Sequence, residues 1–259
     1  MALIHCDFFS ETLEISTSMS VIIPENTRKQ IGMKGNIIKP DHPTLYLFHG
    51  LSDDHTIWER RTSIERYAAN LGIAVVMPAA NRSFYTDMKY GERYWTFISD
   101  ELPEVCRNFF HLSSTREDNF VAGISMGGYG AFKLALRCPD KFAAAASISG
   151  VLDLSALVEN KTGPFKRDFN NIFGENTSTK DTKDDLFYLA QKVARSNNPK
   201  PKLFQCCGME DTLYEGNIKF RNFCRKLPLD LTYEDQHGNH EWGYWDTQIQ
   251  KVLKWLPLC

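Results

Sequence analysis

A serine stands with glycine two places away on each side, in Gly123-Ile124-Ser125-Met126-Gly127, where the apolar run from Phe120 to Ala122 gives way to the helical spacing of Ala131 to Leu136. A strand-to-helix turn this tight strains the serine backbone, and side chains two places away would collide across it. The turn also pushes the hydroxyl out beside a helix N-terminus, where free N–H groups can bind a developing negative charge. That combination suits a nucleophile attacking a carbonyl. Because Gly-x-Ser-x-Gly is a common chance match, Ser125 needs partners elsewhere in the chain.

A serine hydroxyl requires a base, usually a histidine oriented by a carboxylate. In strand–helix folds with this turn, the order along the chain is serine, acid, histidine, with the latter two on loops after later strands. Gly208-Met209-Glu210-Asp211 follows the apolar run ending at Cys207. Asp211 is ranked ahead of Glu210 as the carboxylate, although either acid could instead cap a helix starting near Tyr214. Gln236-His237-Gly238-Asn239-His240-Glu241-Trp242 then supplies two histidines. His240 is ranked ahead of His237, because it follows a flexible Gly-Asn pair and directly precedes the last helix. His5, His42 and His111 read as surface or structural residues, and no cluster has metal-ligand spacing, so no catalytic metal is expected.

An oxyanion hole needs two N–H donors. Met126, the residue after the nucleophile, is expected to give one and Leu51, in His49-Gly50-Leu51, the other; Gly50 lets the backbone approach a substrate closely. His49 itself is expected to hydrogen-bond within its loop. Trp58, Trp95 and Trp242 fall near the expected mouth of the site and could narrow an acyl pocket, although tryptophans mostly serve packing.

Positioning these residues calls for a sheet. Thr44 to Phe48, Ile73 to Met77, Phe142 to Ser149 and Lys202 to Cys207 are nearly all apolar, as strands buried on both faces are. Helical spacing separates them at 62–71, 94–110 and 214–227, and 229–233 and 243–256 complete the pattern as strand and helix. Residues 3–10 and 14–23 read as an antiparallel edge pair. This alternation predicts an α/β fold with a mostly parallel sheet covered on both faces. The chain of 259 residues reads as one domain, 1–259, in which residues 151–200 break the rhythm as a lid-like insertion with helices near 164–173 and 184–196.

A net charge of -2 gives no reason to expect nucleic acid or an anionic membrane as partner. The N-terminus lacks a basic region and a long apolar run, so no signal peptide is expected. Seven scattered cysteines, with no C-x-x-C pair, predict reduced thiols and a cytoplasmic setting, with Cys206 and Cys207 buried at a strand end.

His49-Gly50-Leu51, Gly123 to Gly130, Cys207-Gly208-x-x-Asp211 and Gly238-Asn239-His240-Glu241-Trp242 resemble the esterase D group of α/β-hydrolases, and among them the bacterial tributyrin esterases. The resemblance implies an α/β-hydrolase fold, a Ser125–Asp211–His240 triad, an oxyanion hole from Leu51 and Met126, and no cofactor. It further implies hydrolysis of short-chain acyl esters and allows a homo-oligomer, dimer or tetramer. Carbohydrate acetyl or feruloyl esterase, S-formylglutathione-type thioesterase, acyltransferase and a non-catalytic binding module remain the alternatives.

Overall fold

A computed structural model describes residues 1–159 and 163–258; Cys259 lies outside the described residues. The chain opens with β1 (Ala2–Ser10) and β2 (Ile15–Ile23), an antiparallel hairpin with Ala2 opposite Ile23. There follow β3 (Thr44–Phe48), α1 (Ile57–Arg61), α2 (Ile64–Ala69) and β4 (Ala74–Pro78). Next come α3 (Tyr94–Thr96), a π-helical stretch (Phe97–Glu101) and α4 (Leu102–Phe109), then β5 (Asn119–Ile124) and α5 (Met126–Arg137). After β6 (Ala144–Ile148) lie α6 (Leu154–Glu159), α7 (Lys166–Phe173) and α8 (Leu186–Arg195). The chain closes with β7 (Lys202–Gly208), α9 (Tyr214–Cys224), β8 (Leu231–Gln236) and α10 (Trp242–Trp255).

The strands form one eight-stranded sheet in the order β1-β2-β4-β3-β5-β6-β7-β8. β2 runs antiparallel to β4, and every pair from β4 to β8 is parallel. This is the α/β-hydrolase arrangement with an N-terminal antiparallel edge. Every residue of β3, β4, β5 and β6 is buried because helices cover both faces, which accounts for their mostly apolar composition, with Thr44, Asn119 and Ser147 the polar exceptions. Alternate residues feed two cores. Tyr46, Phe48 and Val121 join Phe132 and Leu189 on one face, while Leu45, Leu47 and Phe120 join Trp58, Trp245 and Ile249 on the other.

Register sets the site. Phe48 pairs with Gly123, Ile124 with Ile148, and Ile148 with Cys206. The carboxyl ends of β3, β5, β6 and β7 therefore finish in line, and the loops carrying Leu51, Ser125 and Asp211 leave from one edge.

Several elements differ from their sequence-based outlines for local reasons. The helix expected over 62–71 is shortened to Ile64–Ala69, because Thr62 ends the preceding α1 and its hydroxyl accepts from the Ile64 N–H at 3.1 Å. The helix expected over 94–110 contains the π-helical stretch because Pro103 has no N–H to offer the Ser99 carbonyl. Lys141 Nζ donates to that carbonyl instead, at 3.0 Å. The nucleophile-bearing helix starts at Met126, five residues earlier than its apolar spacing showed, and β8 is displaced from 229–233 to Leu231–Gln236. The segment between β6 and β7 holds helix α6 in addition to the two expected.

That segment is pinned by a buried lysine. Lys133, fully buried on α5, meets the Asp184 carboxylate at 2.7 Å, the Thr86 hydroxyl at 2.7 Å and the Tyr85 carbonyl at 3.0 Å. Tyr129 donates its hydroxyl to the Asp184 carbonyl at 2.8 Å. Burial lowers the lysine's pKa to about 8 even with Asp184 beside it. Lys133→Met is expected to cost about 3–5 kcal/mol in urea unfolding, because it strands a buried carboxylate, and Lys133→Met/Asp184→Leu much less. Equal losses in the two variants would show that the pair does not carry the effect.

Candidate active site

The turn after β5 is tight enough to exclude side chains. A Cβ on Gly123 would run into the Gly127 backbone, and one on Gly127 would lie 2.6 Å from both the Phe48 and His49 carbonyl oxygens. Between them Ser125 takes φ 52° and ψ −116°, a conformation that costs a non-glycine residue about 1–3 kcal/mol. Hydrogen bonds hold it there. Ser125 N–H donates to the Ile148 carbonyl at 3.0 Å, and its own carbonyl accepts from Tyr129 at 3.1 Å and Val151 at 3.2 Å.

The Ser125 hydroxyl lies 3.0 Å from His240 Nε2, and His240 Nδ1 lies 2.9 Å from Asp211 Oδ2. Residues 115 and 29 positions apart in the chain thus form one hydrogen-bonded line. Asp211 does not cap α9, whose N-cap position is Leu213 with no side-chain cap; its Oδ1 instead accepts from the Leu213 N–H at 2.8 Å in the turn ahead of the helix. The carboxylate side chain is fully buried. Burial alone would raise its pKa, yet the hydrogen bonds from His240 and Leu213 hold it below the usual carboxylate range. It is therefore ionised near neutrality and anchors the imidazole as an Nδ1–H tautomer. The two residues ranked second pair with each other at the surface, where His237 Nδ1 meets Glu210 Oε1 at 2.6 Å.

Two backbone amides are free beside the serine. Met126 N–H opens α5, and Leu51 N–H follows Gly50; among the described residues neither donates to a protein acceptor. The loop carrying Leu51 is braced from below by His49, which is buried and, as expected, bonds within the loop. Its Nδ1–H donates to the Gly50 carbonyl at 2.7 Å, and its Nε2 accepts from the Ala80 N–H at 2.9 Å. Burial lowers its pKa to about 4, so it stays neutral. Tyr85 completes the brace: its ring stacks on Phe48 with centroids 4.5 Å apart, and its hydroxyl donates to the His49 carbonyl at 3.0 Å. Gly130 on α5 leaves room for that ring, which a Cβ there would strike.

The tryptophans divide. Trp242 is partly buried at the start of α10 and sits edge-on to Trp245 at 5.1 Å, which is edge-on to the His240 ring at 4.9 Å. Trp58 lies behind Trp242 at 5.3 Å, fully buried, with its indole N–H donating to the Phe48 carbonyl at 3.2 Å. It supports the wall from within and does not face the mouth. Trp95 is elsewhere altogether. The Arg137 guanidinium lies 3.5 Å from its ring centroid, at the far end of α5 from Ser125, so its expected place at the mouth is corrected. Sequence reasoning missed Trp245 as the imidazole's neighbour; its position three residues after Trp242, on the same face of α10, was the available signal.

Sheet, strained serine and hydrogen-bonded imidazole define the class as an α/β-hydrolase of the serine-nucleophile type. The chain belongs to the Esterase family, described as "Putative esterase", whose profile it matches over residues 31–256, and it is a carboxylic ester hydrolase. It is 28% identical to an acetyl esterase of Caldicellulosiruptor saccharolyticus, over 99% of this chain and 98% of the relative. Two solved Staphylococcus aureus structures are each 37% identical, with 98% of both chains covered. The first is FphF, a fluorophosphonate-binding serine hydrolase with substrate bound, at a TM-score of 0.88; the second is the S-formylglutathione hydrolase FrmB, at 0.84. Among the described residues no helix is long and apolar enough to cross a membrane.

His49 gives a pH test of the brace. Its folded pKa of about 4 lies below the ordinary histidine value of 6.5, so between these values the unfolded chain binds more protons. Stability should therefore rise with pH across that window and be lost as pH falls through it, by on the order of 3 kcal/mol. His49→Gln should flatten the change in urea midpoint between about pH 4 and 6.5; an unchanged slope would contradict the assignment.

Proposed function

We propose that the protein is a serine carboxylesterase that hydrolyses short-chain acyl esters, acetyl to butyryl and tributyrin among them, through an acyl-enzyme on Ser125. The observation that carries this reading is the unbroken line from Asp211 Oδ2 through His240 to Ser125 Oγ, with links of 2.9 and 3.0 Å. His240 Nε2 takes the serine proton as Oγ attacks the ester carbonyl, and Asp211 stabilises the imidazolium that results. The carbonyl oxygen, now an anion, is received by the Leu51 and Met126 N–H groups. The tetrahedral intermediate collapses as His240 returns its proton to the departing alcohol. Water, deprotonated by the same nitrogen, then releases the acid and restores the serine.

The acetyl esterase likeness supports an oxygen ester of a small acid. The likeness to FrmB supports a second reading, a thioesterase acting on S-formylglutathione. Direct competition between that thioester and p-nitrophenyl butyrate separates the two. The free thiols of all six described cysteines support a reducing, cytoplasmic setting. The segment 151–200 is read as a wall of the site.

Ser125→Ala should abolish both ester hydrolysis and labelling by a fluorophosphonate. Asp211→Asn, which fixes the wrong tautomer, should lower kcat by about 10⁴-fold with little change in unfolding midpoint. Glu210→Gln should leave kcat within about twofold, since its partner is the surface His237. Steady-state kinetics on p-nitrophenyl butyrate checks all three; a Ser125→Ala protein that keeps its activity would end the proposal.

A further inference from the structure

Two hollows, lined by the loops on either side of the Ser125 turn and not by Ser125 itself, differ in polarity, and the difference sorts the halves of the ester. Because the strand order is β4-β3-β5-β6-β7, Ser125, which follows β5, lies between the turns after β3 and β4 on one side and those after β6 and β7 on the other. Each side holds a hollow. On the β6/β7 side a cavity of about 400 Å³ is lined by Val151, Leu152, Ala156, Leu157 and Leu213, with the Asp153–Lys219 ion pair against it. Its wall is tied to the catalytic line, since Val151 N–H bonds the Ser125 carbonyl and Leu213 N–H bonds Asp211.

On the β3/β4 side a cleft of about 690 Å³ begins at Leu51 and is lined by Asp53, Arg82, Glu92, Arg167 and Asp168. Arg82 is already engaged by Asp168 in a two-point pair, Nε to Oδ1 at 3.0 Å and Nη2 to Oδ2 at 2.8 Å. The remaining charges of this lining are the carboxylates of Asp53 and Glu92 and the single guanidinium of Arg167, which leaves the cleft with an excess of one negative charge. Such a lining offers hydrogen bonds to hydroxyls and opposes a carboxylate.

Building on the esterase reading above, we propose that the acyl chain enters the apolar cavity between the β6 and β7 turns. The leaving group, a neutral hydroxylated alcohol, occupies the polar cleft beside Leu51. Ala156 and Leu157 then limit acyl length, and Asp53 and Glu92 select against anionic alcohols. The first test is kcat/KM for p-nitrophenyl hexanoate relative to acetate, per Ser125 labelled by fluorophosphonate. Ala156→Trp and Leu157→Trp should each lower this ratio tenfold or more. The second test uses the unaltered chain, which should hydrolyse glycerol monobutyrate at least tenfold faster than the butyryl ester of glycolic acid, a preference that Glu92→Gln narrows. An unchanged chain-length ratio in tryptophan variants that label normally, or equal rates on the neutral and anionic esters, would overturn the proposal. An unaltered chain that neither labels nor hydrolyses any ester would instead overturn the esterase reading beneath it.

Discussion

No Cβ fits between the end of β3 and the start of α5. Gly127 lies against the Phe48 and His49 carbonyls, and Gly123 against Gly127 itself, so the backbones of two strands and a helix meet closer than side chains allow. Three features of the site follow from this contact. Ser125 is bent into a strained conformation that projects its hydroxyl, the first amide of α5 is left without an acceptor, and the loop bearing Leu51 is brought alongside it. The strain is offset by the sheet, because the amide and carbonyl of Ser125 are fixed by Ile148, Tyr129 and Val151.

The polar line is then kept in one state by its surroundings. Asp211 is buried yet ionised, because two donors meet its two oxygens. The edge of Trp245 lies against the His240 ring, and Trp242 and Trp58 stand behind it in turn. On the other side His49 is held neutral by burial, so the loop bearing Leu51 is braced without adding a cation beneath it. Tyr85 connects this brace to Lys133, and through Asp184 to the segment between β6 and β7. Substrate-side loops and nucleophile helix are thereby one packed unit.

Much of this was legible in the residues. Ser125, Asp211 and His240 could be picked out because the turn chemistry of Gly123 and Gly127 is local and because strand ends dictate where partners emerge. Strands buried on both faces announce themselves as apolar runs, so the sheet was readable, except that β8, an edge strand with polar residues, was displaced. What escaped depends on tertiary contact. Trp95 is expected near the mouth, but its ring lies against the Arg137 guanidinium at the far end of α5. The π-helical stretch needed the pairing of Ser99 with Lys141 to be seen. Asp211 orients His240 and braces the turn ahead of α9 through the Leu213 N–H without capping the helix, a distinction that depends on where the turn ends and is not visible in sequence.

The central claim is that the hydroxyl of Ser125, deprotonated by His240, forms the covalent intermediate. Rapid mixing with p-nitrophenyl butyrate, quenching in acid and mapping of the adduct by mass spectrometry tests it most directly. The expected result is a burst of about one nitrophenolate per site, with the butyryl group on the peptide containing Ser125. Steady hydrolysis with no adduct, or an adduct on another residue, would contradict it.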